Sequence, residues 1–149
     1  MKVIIQRTKY AKVEVDQKVV GEIERGALVF LGVSCEDSVD DADYLVNKIV
    51  NLRIFQDAEG KMNLSGLDVN AEFLVVSQFT IYGNCDKGRR PSFDEAADPK
   101  KGEELYDYFV DKLKEQNVKV ETGKFRAMMD VSLLNDGPVT FILESKDND

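Results

Sequence analysis

Two short stretches hold the polar groups best placed to do chemistry: Ser77-Gln78-Phe79-Thr80 and Asn135-Asp136-Gly137-Pro138-Val139-Thr140. The first follows directly on the apolar run Phe73-Leu74-Val75-Val76. Its hydroxyls, amide and backbone N–H groups therefore stand where a rigid, buried strand stops, well placed to orient a ligand or meet a developing oxyanion. The plainer alternative is that they mark the strand's emergence into solvent. The second stretch interrupts two β-rich segments, Val131–Leu134 and Val139–Leu143, with residues that favour turns. A hairpin turn is its ordinary reading. Pro138 directly after Gly137 resists that reading, because proline has no N–H to give a sheet ladder. A Gly-Pro bond takes the cis form at low cost. In that form it would aim two backbone carbonyls in a fixed direction and read shape by sterics rather than charge.

The chain has no histidine. A Ser-His-Asp triad, a Cys-His pair and an imidazole metal site within one chain are thereby excluded. The 28 acidic residues could in principle hold Mg²⁺, but no tight acidic motif resembles a ligand set. The segment from Asp37 to Asp43 reads instead as a helix start, so neither metal nor cofactor is expected. An enzyme made from this chain works with hydroxyls, amides, backbone groups, carboxylates, lysine, or a group that the substrate brings. Thr80 invites assignment as a nucleophile, yet no base is at hand to deprotonate it, and it reads better as a pocket and hydrogen-bonding residue.

The net charge of −8 argues against broad nucleic-acid binding, which depends on neutralising phosphates, but not against contact with one end of a nucleic acid. The basic cluster Lys87, Arg89 and Arg90 is, on charge pattern alone, most simply a solvated loop. Arg7 stands in an otherwise apolar first strand, where an arginine snorkels or pairs with an exposed carbonyl. Phe125, Met128 and Met129 read as core or pocket wall. Cys35 and Cys85 form no CxxC pair and read as two reduced, partly buried thiols.

These groups need a scaffold, and the apolar periodicity supplies one. Residues 2–8 predict a strand, and 12–16 with 19–24 a hairpin turning at Gln17-Lys18. Residues 27–34 are a continuous apolar run, as in a strand buried on both faces. Ser38 is a plausible N-cap for an amphipathic helix to about Leu52. A short extended piece turns at Ala58-Glu59-Gly60, and residues 72–82 form the strongest strand signal. After a long polar connection, Asp98-Pro99 opens a second helix with Leu105, Tyr108, Phe109, Lys112 and Leu113 on one face. Residues 118–122, 129–134 and 139–143 finish as strands. The sum is an α/β protein: a single three-layer β/β/α domain over residues 1–144. About seven strands lie in mixed or antiparallel sheets, two main helices cover one face, and 145–149 form a polar, frayed tail. No apolar run approaches a membrane span and no signal peptide is visible, so a cytoplasmic protein with no membrane association is expected.

The two polar stretches occur with Ile4-Ile5-Gln6-Arg7-Thr8, the segment Arg53–Ser65 and Arg89-Arg90-Pro91-Ser92-Phe93. Together they resemble the D-aminoacyl-tRNA deacylases of bacterial type, often called D-tyrosyl-tRNA(Tyr) deacylases. The resemblance runs from Met1 to about Leu143 and departs from the usual pattern only at Thr8 and Leu134. It implies hydrolysis of the ester between a D-amino acid, and also glycine, and the terminal adenosine of tRNA. It implies a homodimer in which Ser77, Gln78, Phe79 and Thr80 of one subunit face Gly137 and Pro138 of the other. Asn135 belongs to that second motif, and Arg7 is implied to brace it. The region of Phe125 and Met129 would help hold adenine, and Lys87, Arg89 and Arg90 would meet the tRNA backbone. Two rival readings remain: a noncatalytic module that binds a nucleotide end, and a serine or threonine amidase for small D-amino acid derivatives.

Overall fold

Period-two burial of Val3, Ile5, Ala11 and Val13 makes one long strand of the first fifteen residues rather than two. In the computed structural model, which describes residues 1–145, β1 (Lys2–Val15) runs unbroken through the segment expected to separate residues 2–8 from 12–16. It turns into β2 (Lys18–Ile23) at Asp16-Gln17, one residue earlier than predicted. Both turn residues have positive φ, 50° and 65°, the combination that matches the twist of a two-residue hairpin.

β3 (Gly26–Gly32) pairs antiparallel with β1 and parallel with β6 (Glu72–Ser77). β6 in turn pairs parallel with β7 (Lys119–Thr122). The parallel steps are made by helical crossovers, α1 (Val39–Asn51) before β6 and α3 (Pro99–Lys114) after it. Asp41 accepts the backbone N–H of Ser38 at 2.8 Å at the start of α1, and Asp98 accepts that of Lys101 at 2.9 Å at the start of α3. The two-residue β4 (Phe55–Gln56) and β5 (Met62–Leu64) form a separate hairpin, followed by the single-turn α2 (Gly66–Val69).

Each central strand is buried on both faces, and the two faces build two cores. Ala27, Val29 and Leu31 of β3, with Phe73 and Val75 of β6, meet α1 and α3. Leu28, Leu74 and Val76 point the other way and meet Ala11, Val13 and Ile23 of β1 and β2. The sheet thus curls until β2 lies against β6 and β7, a nearly closed barrel of mixed strands with the helices outside. This is the expected β/β/α layering. On α3 the buried stripe is Leu105, Tyr106, Phe109, Val110 and Leu113. Tyr106 and Val110 therefore take the places expected for Tyr108 and Lys112. Tyr106 sits inward because its hydroxyl reaches the Val75 carbonyl at 2.7 Å, whereas the Tyr108 hydroxyl donates to Asp43 at the surface.

Two departures concern the polar stretches singled out in the sequence. The strand expected over residues 72–82 ends at Ser77, and Phe79–Tyr82 is a 3-10 turn. β6 stops there because both neighbours run out: β7 pairs only as far as Val75, and β3 only as far as Ser77. The segments 129–134 and 139–143 do not fold back on each other. They are the two halves of β8 (Asp130–Glu144), and both run antiparallel to β1. Between the pairs Gln6↔Thr140 and Thr8↔Asn135, β1 advances two residues (6 to 8) while β8 advances five (140 to 135). The surplus is an outward excursion of backbone at Asp136–Val139.

Ser145, the first residue of the expected tail, bonds the N-terminal ammonium group at 3.0 Å and Asp41 at 2.6 Å. The remainder of that tail, residues 146–149, lies outside the described residues. No helix among the described residues is long and apolar enough to cross a membrane.

Candidate active site

The last ladder position of β6 delivers Ser77 half-buried, and the Gln78 N–H still bonds the Leu31 carbonyl at 2.8 Å. The chain then leaves the sheet. The Ile81 N–H takes the Gln78 carbonyl at 3.2 Å and the Gly83 N–H takes that of Thr80 at 2.9 Å. The opening N–H groups of such a turn, here Phe79 and Thr80, have no acceptor within it. Thr80 Oγ1 accepts from the Gln78 side-chain amide. Because Gln78 is the donor, this contact cannot take a proton from Thr80. Phe79 is 57 % exposed and meets the Phe93 ring edge-on at 5.1 Å.

Ser77, Gln78 and Phe79 form one wall of a cavity of about 610 Å³. The lining also includes Phe93, the start of α3 with Asp98, Pro99 and Gly102, and the segment Phe125 to Met129. Six of the residues singled out in the sequence, Ser77, Gln78, Phe79, Phe125, Met128 and Met129, therefore share one pocket, whereas Cys35 and Cys85, expected to be partly buried, are both exposed. Thr80 is tied to it through Gln78 but does not line it. Phe125 is backed by Tyr106, with ring centroids 5.9 Å apart. Burial of Tyr106 pushes its hydroxyl well above the usual tyrosine range, so it stays a neutral donor to Val75. Phe93, Gly102 and Arg126 were missed as lining residues. Phe93 ends the Arg89–Phe93 segment and Arg126 lies between Phe125 and Met129, so both carried a usable signal; Gly102 carried none.

Lys87, Arg89 and Arg90 lie on an exposed loop outside the pocket lining. Paired backbone bonds between Asn84 and Ser92, 2.8 and 2.9 Å, pin the base of that loop beside Phe93.

A second cluster surrounds the β8 excursion. Arg7 is 4 % exposed and spans two elements. Its Nη1 donates to the Ile54 carbonyl at 2.7 Å, and its Nε to the Asp136 carbonyl at 3.2 Å, with Asp136 Oδ2 at 3.4 Å. The Asn135 amide donates to the carbonyls of Arg7 (3.2 Å) and Val139 (3.1 Å), closing the neck of the excursion. Gly137 and Pro138, joined by a cis peptide, are exposed at its tip. Gly137 has φ +129°, and a Cβ there would stand 2.7 Å from Val139 Cγ2 and 3.2 Å from Arg7 Nη2. Only glycine fits this backbone. None of Arg7, Asn135, Gly137 or Pro138 lines the pocket of its own chain. Next to Arg7, Thr8 is fully buried, and its hydroxyl has no hydrogen-bond partner among the described residues. Thr8→Val keeps the shape and removes that cost, so it is expected to stabilise the protein by about 1 kcal/mol. A urea midpoint that falls in this variant would show that the hydroxyl has a partner.

The family model described as D-Tyr-tRNA(Tyr) deacylase matches residues 4–144. The chain belongs to the D-Tyr-tRNA(Tyr) deacylase family. Membership makes it a hydrolase of ester bonds. Its sequence is similar to proteins named D-aminoacyl-tRNA deacylase from several bacteria. That from Thermosipho africanus is 60% identical over 146 residues, 98% of each chain. That from Geotalea uraniireducens is 61% identical over 148 residues, 99% of this chain and 96% of the relative. Among solved structures, one titled "c-Myc DNA Unwinding Element Binding Protein" superposes with a TM-score of 0.91 at 39% identity. It covers 97% of this chain and 98% of its own. A structure described as a probable eukaryotic D-amino acid tRNA deacylase shares the fold, with a TM-score of 0.80 at 21% identity and coverage of 96% and 98%. Both share this chain's fold over nearly its whole length.

Proposed function

We propose that this protein hydrolyses the ester joining a D-amino acid, or glycine, to the 3′-terminal adenosine of tRNA. It acts as a homodimer in which the pocket behind Ser77–Thr80 is completed by the partner's Gly137–Pro138. The observation that carries this reading is the segregation of the two clusters. One chain holds a pocket with polar groups at its rim, and apart from it a braced, exposed piece of backbone that stands outside that pocket's lining. A second copy is the simplest way to bring them together.

The chemistry fits the residues. An aminoacyl ester is already activated, so positioning and charge stabilisation supply most of what is needed. The N–H groups of Phe79 and Thr80 are candidates to receive the developing oxyanion. The ribose hydroxyl next to the ester assists or orients the attacking water. Phe125 and Met129 offer apolar surface to adenine, while Lys87, Arg89 and Arg90 meet the tRNA backbone. D and L substrates differ only in which side of Cα carries the side chain. A backbone wedge on the L side rejects every L residue and leaves the D side open, while glycine, which has no side chain, passes. A tRNA substrate also suits a cytoplasmic protein.

The direct test is release of tyrosine from matched D- and L-tyrosyl-tRNA by the purified protein, with sedimentation to report the dimer. Hydrolysis of D but not L is expected; equal rates, or none, would refute the reading. Thr80→Ala is expected to lower turnover by roughly tenfold through the lost contact with Gln78, without abolishing it. A trapped acyl-enzyme on Thr80 would instead make it the nucleophile. Arg89→Ala and Arg90→Ala should each raise KM for tRNA and reduce the salt slope by about 0.7 to 1. An unchanged slope would return this loop to solvent.

A further inference from the structure

The pocket's mouth carries a cation that the reading above leaves unused. Arg126 lines the cavity between Phe125 and Ala127, on a turn closed by the Ala127 N–H and the Lys124 carbonyl at 3.2 Å. Its φ is +64°, a region that side chains other than Gly, Asn and Asp visit rarely. The turn is held in place from below. Met129 Sδ accepts the Lys124 N–H at 3.4 Å and packs so closely over Gly123 that a Cβ there would stand 2.6 Å away. Phe125 is anchored on Tyr106. Arg126 is exposed, and no carboxylate among the described residues lies within ion-pair distance of it. The other charged residue of the lining, Asp98, has a carboxylate oxygen committed to the Lys101 N–H. A lone guanidinium at the rim of a largely apolar pocket, in a chain of net charge −8, is arranged for an anion.

We infer that Arg126 is a phosphate anchor: its guanidinium binds the 5′-phosphate of the nucleotide whose base and sugar occupy the pocket. The inference rests on the proposed substrate and deepens it. A terminal nucleoside seated between Phe79 and Phe125 has its only phosphodiester at the mouth. A planar, permanently charged fork there holds two phosphate oxygens at once. The contact fixes how deep the nucleoside sits, and so where the ester lies against Ser77–Thr80. It is distinct from the loop of Lys87, Arg89 and Arg90, which would follow the backbone farther from the terminus.

The test compares adenosine with adenosine 5′-monophosphate by calorimetric titration of wild type and Arg126→Gln. The wild type should bind the monophosphate about tenfold more tightly than adenosine, and Arg126→Gln should erase that difference while adenosine affinity holds. Arg126→Lys should restore part of it. With D-tyrosyl-tRNA, the salt slope of KM should fall by about 0.7 to 1 in Arg126→Gln. Equal affinity of the wild type for both nucleosides would overturn the proposal. So would an equal loss for both ligands in Arg126→Gln, which would mark a structural role in the turn. If the wild type shows the phosphate preference but releases no tyrosine, the deacylase reading fails and the phosphate site stands.

Discussion

Arg7→Ala is expected to reduce discrimination between D- and L-tyrosyl-tRNA by about two orders of magnitude, mainly by raising hydrolysis of the L substrate. Arg7 ties the excursion to the body of the protein through two carbonyls, those of Ile54 and Asp136. Truncating it leaves the excursion held at its neck by Asn135 but free at its tip. A displacement of about 1 Å at a positioned group is enough for a hundredfold effect. The same change strands buried carbonyls and opens a cavity, so stability should fall by about 3 kcal/mol. Arg7→Lys keeps a charge but cannot span both carbonyls, and it should fall between the two. Rates measured per folded molecule decide the matter. L-tyrosyl-tRNA that stays untouched in folded Arg7→Ala would remove the bracing role.

Gly26→Ala is expected to be the most damaging methyl addition in the chain. A Cβ at Gly26 would lie 1.7 Å from the Glu72 carbonyl oxygen and 2.6 Å from its backbone C and N. Those atoms are main chain and cannot rotate away. Gly26 and Glu72 are register partners where β3 and β6 begin, and the neighbouring Glu72 N–H bonds the Arg25 carbonyl at 3.1 Å. Accommodating the methyl forces the parallel pair apart at its first rung, at a cost above about 3 kcal/mol. Because β6 aims Ser77–Thr80, activity should be lost along with stability. Urea unfolding measures the cost; a midpoint within experimental scatter of the wild type would contradict the strand spacing described.

The reading of the helices succeeded because their signals are local. Ser38 and Asp98-Pro99 mark starts that the fold uses, and α1 buries Ala42, Leu45, Val46 and Ile49 as their spacing required. The readings that failed depended on neighbours. Phe79-Thr80-Ile81-Tyr82 has the β-branched and aromatic character of a strand, and no local feature reveals that β3 and β7 have already ended beside it. Tyr106 and Tyr108 are equally apolar by composition; only the Val75 carbonyl beneath α3 decides which of them goes inside.

The sequence by itself determined the family, the layering and the absence of any imidazole chemistry, because these follow from composition and from ordered motifs. It also marked Ser77–Thr80 and Asn135–Thr140 as the candidate stretches for chemistry. The tertiary structure decided what they are. Asn135–Thr140 is an outward excursion of one long strand, because β8 brings three more residues than β1 can pair. The tertiary structure also put Phe93, Gly102 and Arg126 around the pocket with Ser77. These residues are distant along the chain and meet only because β6, α3 and the segment after β7 converge at one end of the sheet.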